Sequence, residues 1–98
     1  MAYRLIWSPA ARLDLREIAE FISEDDPVAA KKFVRHLLQT VERLQLFPES
    51  GRIVPEFEDP HLREIIRSPC RVVYRLNHEL LRIDVLRIWH ARRGIPGV

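Results

Sequence analysis

Residues 63–93 read REIIRSPCRVVYRLNHELLRIDVLRIWHARR, a run in which aliphatic and β-branched residues alternate with arginines. Alternation with a period of two is the pattern of a strand that buries one face. Two runs stand out, residues 71–76 (RVVYRL) and 81–89 (LRIDVLRIW), joined through Asn77-His78-Glu79, which is a hairpin signal. Residues 62–67 form a third run, broken from the others at Ser68-Pro69. The C-terminal half is expected to be a three-stranded antiparallel meander.

Strand parity assigns faces within it. Val72, Tyr74 and Leu76 share one face and are expected to meet helices, which leaves Arg71, Val73 and Arg75 on an open face. In the last strand Leu81, Ile83 and Val85 share one parity and Leu86, Ile88 and His90 the other. That change of phase implies a bulge near Val85-Leu86 or burial of both faces, and it leaves the face of His90 open.

Working back toward the N-terminus, Tyr3 to Trp7 alternates loosely and reads as a short strand ended by Ser8-Pro9. A serine hydroxyl caps a helix, and proline suits its first position because its missing N–H would have no partner there. Ala11, Leu15, Ile18 and Ile22 then recur at helical spacing, with Leu13 and Phe21 widening the stripe, so an amphipathic helix should run to about Glu24. Asp25-Asp26-Pro27 repeats the stop-and-start logic, and Phe33, Leu37, Val41 and Leu44 mark a second helix. So short a connection makes the two an antiparallel hairpin. Its outer side carries Lys31, Lys32, Arg35, His36 and Arg43, which read as a solvated face. Phe47-Pro48 ends the second helix, and residues 52–61, with Pro55 and Pro60, read as an irregular crossing. The fold class is therefore α+β, with an N-terminal strand, a helical hairpin and a meander, in one domain over residues 1–98.

Charge is distributed unevenly along this order. Residues 62–98 hold eight arginines, no lysine and three acids, whereas residues 1–61 hold eight basic and eleven acidic side chains. The whole-chain net of +2 hides that split, and the basic surface is expected on the sheet. One cysteine, Cys70, allows no internal disulfide and suits a reducing cytoplasm. The apolar start is too short for an export signal, and no apolar run approaches bilayer length, so a cytoplasmic protein without membrane contact is expected. His36, His61, His78 and His90 lack metal-ligand spacing, so neither a metal nor a cofactor is expected.

Taken together, Ser8-Pro9-Ala10 with Asp14-Leu15 and Ile18, the Phe47-Pro48 to Gly51-Arg52 turn, Arg63-Glu64-Ile65, Arg71-Val72-Val73-Tyr74-Arg75 and the closing His90 with Arg92-Arg93 resemble the ParE/RelE superfamily of bacterial toxins. The resemblance covers nearly the whole chain; its pieces are individually common, and their order and spacing carry it. It implies the toxin half of a type II toxin–antitoxin module, of the kind also called plasmid stabilisation proteins, and a small cognate antitoxin that wraps the toxin and touches DNA on its behalf. Antitoxin contacts are expected at Leu13, Phe21, Arg75 and Arg87. Two mechanisms divide the superfamily: RelE-like members cleave mRNA in the ribosomal A site, and ParE-like members poison DNA gyrase.

The chemistry of RNA cleavage discriminates between them. Attack by a 2′-OH needs a proton acceptor, a proton donor for the leaving oxygen and cations on the phosphate. Arginines hold phosphate but do not accept protons. If the chain is a nuclease, Arg71, His90, Arg92 and Glu64 are the candidates, with Glu56 and Glu58 as further carboxylates. Position 91 is alanine and no aromatic residue follows Trp89, which departs from RelE-like nucleases. The ParE-like reading is favoured, with Arg63, Arg71, Arg75, His90, Arg92 and Arg93 as the target-binding set; the nuclease, and an inactive relative acting through complex formation alone, are the alternatives. Tyr74 is expected in the core, and Glu64 is expected to pair with an arginine on a neighbouring strand.

Overall fold

The structure is a computed structural model that describes residues 2–93, 96 and 97, with the side chain of Arg93 outside that description. A strand β1 (Arg4–Trp7) leads into helices α1 (Pro9–Asp25) and α2 (Pro27–Glu42), a 3-10 turn (Arg43–Gln45), and strands β2 (Arg52–Ile53), β3 (Leu62–Arg67), β4 (Cys70–Asn77) and β5 (Arg82–His90). Among the described residues these strands form one sheet in the order β1-β5-β4-β3-β2. The expected meander of β3, β4 and β5 is present, and the α+β class holds. The sheet is nonetheless mixed, because β1 runs parallel to β5. A parallel pair needs a long crossover, and here the helical hairpin opens that crossover.

Local chemistry sets the helix ends. The Ser8 hydroxyl accepts the Ala11 N–H at 3.0 Å and donates to the Leu86 carbonyl at 2.8 Å, so one side chain caps α1 and fastens it to β5. Asp26 alone separates the helices. Its N–H donates to the Ile22 carbonyl at the end of α1, and its carboxylate accepts the Val28 and Ala29 N–H groups at the start of α2, each at 3.1 Å.

The helices cover one face of the sheet. Ala11, Leu37 and Val41 pack with Cys70, Val72, Val85 and Ile88, and Leu44 packs with Tyr74, Leu76 and Ile83. The helix-facing parity read from β4 is therefore present, and Cys70 is fully buried there, with burial pushing its thiol pKa up. The phase change in β5 is a bulge: Val73 pairs with Arg87 and Tyr74 with Val85, which leaves Leu86 as the added residue.

The other face is not open as expected. Val73 is fully buried, packed with Val54, Leu62 and Leu86, because the crossing folds back over the sheet. This segment also contributes β2, whose two residues pair with Glu64 and Arg63. Two residues are too few to show an alternation, which is why the sequence pattern reads as irregular.

The crossing is seated by Tyr74, whose hydroxyl donates to the Pro48 carbonyl at 2.7 Å and accepts the Gly51 N–H at 3.1 Å. A Cβ at Gly51 would lie 2.5 Å from that hydroxyl oxygen and 2.7 Å from the Glu64 carbonyl oxygen, so this turn requires glycine. Gly51→Ala should lower stability by about 1–3 kcal/mol through overpacking. Tyr74→Phe, which strips the partner from a buried N–H, should cost about 1–3 kcal/mol, both read from urea denaturation midpoints.

Candidate functional site

Position in the sheet brings four alternating charges together on the face away from the helices. Glu64, on β3, is almost completely buried, and its carboxylate lies between two guanidiniums. Arg52 on β2, the strand partner of Glu64, donates Nε and Nη2 to Oε2, each at 2.7 Å. Arg71 on β4 donates Nε to the other oxygen, Oε1. The same guanidinium then grips Glu56 of the crossing with Nη2 at 2.7 Å and Nη1 at 3.0 Å. Bidentate arginine–carboxylate pairs combine charge with fixed geometry. Arg71 holds the Glu56 carboxyl far below its usual value, at about 2, and Glu56 in turn raises the pKa of Arg71.

Arg63, Arg75 and Arg87 are also engaged, whereas Arg4 and Arg67 make no ion pair among the described residues. Arg63 donates Nε to the Pro60 carbonyl at 3.1 Å, and Nη1 to the carbonyls of Gly51 at 3.0 Å and Glu49 at 3.3 Å, stapling both ends of the crossing. Arg75 is exposed and lies 3.6 Å from Asp59, whose carboxyl pKa is lowered chiefly by the His61 N–H. Arg87 donates Nε and Nη2 to Asp14 of α1 at 2.7 and 2.9 Å, sits over the Trp89 ring and reaches the Gly97 carbonyl. Asp14 also accepts the Ile88 N–H at 3.0 Å.

His90 belongs to a different surface. It pairs across strands with Cys70 and has the parity of Ile88, so it faces α1, whereas Arg71 pairs with Trp89 on the opposite face. Its Nδ1 accepts the Arg92 N–H at 3.1 Å. With Arg92 it lines a groove of about 520 Å³ floored by Ile18, Ile22 and Ile88 and rimmed by Phe21 and Glu17. The structure thus joins Arg71 to Glu64 and His90 to Arg92, and it does not bring the two pairs to one face. Leu13 and Phe21 stand exposed on α1, 50% and 72% accessible, while Arg75 lies on the far side of the sheet. Of Arg93, the side chain lies outside the described residues.

Three sets of contacts escaped the sequence reading. Arg52 completes the charge cluster, Asp14 binds the β5 edge, and Tyr3 hydrogen-bonds His78 Nδ1 while His78 Nε2 lies 3.0 Å from Glu49. The partners are 12 to 75 residues apart, and no local pattern announces such pairs. Chemically, the outer-face cluster can orient and stiffen the crossing, but its carboxylates already accept charged donors. Among the described residues no helix is long and apolar enough to cross a membrane.

The profile described as ParE toxin of type II toxin–antitoxin system, parDE, matches residues 5–95. The chain is 30% identical over 97 residues to the protein Y4kP of Sinorhizobium fredii, covering 97% of this chain and 95% of that one. It is 31% identical over 90 residues to toxin RelE2 of Caulobacter vibrioides, covering 92% of this chain and 97% of that one. A chain in the solved structure of the chromosomal ParDE system of P. aeruginosa superposes with a TM-score of 0.71 at 27% identity, over 91% of this chain and 96% of that one.

The charge cluster makes stability depend on pH. A carboxyl with a depressed folded-state pKa stabilises the fold above its unfolded value and loses that contribution as pH falls toward the folded one. Stability should therefore drop between about pH 4.5 and about 2, and Glu56→Gln should flatten that segment of a urea-denaturation series. Glu64→Gln, which weakens three charged contacts at a buried position, should cost about 2–3 kcal/mol at pH 7 in the same assay.

Proposed function

The chain belongs to the ParE toxin family of type II toxin–antitoxin systems, and from that premise we propose that it arrests growth by acting on DNA gyrase, without itself making or breaking a bond, and that a cognate antitoxin neutralises it. The observation that carries this reading is the continuous run of paired charge on the outer sheet face. Arg52, Glu64, Arg71 and Glu56 alternate in sign and satisfy one another. A ribonuclease acting there would need a free proton acceptor beside a phosphate-binding cation. Glu64 is buried between two guanidiniums, and Glu56, held at about 2, is a weak base at neutral pH. His90 faces the helix side, away from Arg71. What the outer face offers instead is a surface whose charges are paired across three segments of the chain, suited to docking on a protein target.

One observation favours the nuclease as a second reading. His90 accepts the Arg92 backbone N–H, and a histidine, a cation and a carboxylate, His90, Arg92 and Glu17, line the same groove along α1. The two readings separate in vitro. Purified toxin incubated with gyrase, ATP and relaxed plasmid should block supercoiling and trap cleaved DNA, and should leave ribosome-bound mRNA intact. Cleavage of mRNA in the A site with gyrase untouched would refute the proposal. In a bacterial host, induced expression without the antitoxin should stop growth; unimpaired growth would mark an inactive relative. His90→Ala should retain at least half of the gyrase inhibition while abolishing any mRNA cleavage.

A further inference from the structure

Asp14 of α1 and, on the sheet side, Glu49, Glu56, Asp59, Glu64 and Asp84 each meet a basic side chain within the chain, whereas Arg4, Arg67, Glu58 and Glu79 make no ion pair among the described residues. On the outer side of the helical hairpin, Glu20, Glu24, Lys31 and Arg35 make no ion pair among the described residues. These four flank a groove of about 880 Å³ between α1 and α2, whose floor is Ala19, Ala30, Val34 and Leu38. Glu20 and Glu24 stand on the α1 wall and Lys31 and Arg35 on the α2 wall. Val28, 75% accessible near the hairpin tip, adds apolar surface beside it.

We propose that this groove is where a second copy of the chain docks, hairpin on hairpin. The argument is charge complementarity across a symmetric contact. A two-fold axis running along the hairpin lays α1 of one copy on α2 of the other, so each acidic wall meets a basic wall and the apolar floors face each other. An evenly acidic peptide would meet Glu20 and Glu24 with like charge, which disfavours it here. Small residues on the floor let the two pairs of helices approach closely. Each helix presents a face only about 24 Å long, a short contact beside stable complexes, which bury roughly 800 Å² per partner. The dimer is therefore weak, forming at micromolar to millimolar concentration and loosened by salt.

Sedimentation velocity on the purified full chain tests this, from about 10 µM to about 1 mM, in low and high salt. The wild type should shift from monomer to dimer with concentration, and less so in high salt. Glu20→Lys/Glu24→Lys makes both walls basic, and Lys31→Glu/Arg35→Glu makes both acidic; each alone should self-associate at least tenfold more weakly. An equimolar mixture of the two should regain the dimer, because each basic wall then meets an acidic one. Circular dichroism and thermal melts establish that both variants fold, and the mixture supplies a positive readout. A wild type that stays monomeric throughout would overturn the proposal. So would variants that dimerise like the wild type, which places the contact elsewhere, or a monomeric wild type whose antitoxin binding these substitutions abolish.

Discussion

A carboxylate with almost no access to water must find positive charge within the protein, because leaving it uncompensated costs several kcal/mol. Glu64 is that carboxylate, and much of the sheet's outer face is arranged around it. Its partners come from three segments: Arg52 from β2, Arg71 from β4 and, through Arg71, Glu56 from the crossing. The cluster therefore fixes where β2 pairs and where the crossing lies. Under the crossing, Val54, Leu62 and Val73 are dry. The hydrophobic contact and the ionic one are mutually supporting, since each excludes water from the other.

A second constraint comes from β5, which lies between a parallel and an antiparallel neighbour. β1 ends at Trp7, whereas β5 continues to His90, so part of its edge has no strand beside it. Backbone groups at such an edge still need partners. Ser8 supplies one to the Leu86 carbonyl and Asp14 supplies one to the Ile88 N–H. α1 thereby takes over from β1 as the edge partner, with Arg87 adding a charged clamp on the same carboxylate. The bulge at Leu86 falls where this hand-over takes place, and it turns Ile88 and His90 toward the helices.

These two constraints bear directly on function. An arginine-rich strand suggests free positive charge, yet the acids of the first half, Asp14, Glu56 and Asp59, fold onto it. The surface left is patterned and neutral in patches. Family membership places the chain among toxins of type II systems, and the neutralised cluster is what tilts the proposed mechanism away from phosphate chemistry on that face. On the helical hairpin, Glu20, Glu24, Lys31 and Arg35 keep charges that no ion pair among the described residues satisfies.

Much of this was legible in the sequence because it depends on neighbours in the chain. Helix caps at Ser8 and Asp26, the apolar stripes, the parity of Val72, Tyr74 and Leu76, and the change of phase near Val85-Leu86 follow from spacings of one to four residues, and the register then shows that change to be a bulge. Glu64's pairing with an arginine on the next strand was also foreseeable, since cross-strand neighbours follow from the meander. Tertiary structure alone decided the rest: that β1 lies parallel to β5, that the crossing buries Val73, that Arg52 and Glu56 complete the cluster, and that His90 and Arg71 end on opposite faces. The physical reason is separation along the chain. Asp14 meets Arg87 and Tyr3 meets His78 across more than 70 residues, and contacts of that range depend on how whole elements pack, which no local periodicity encodes.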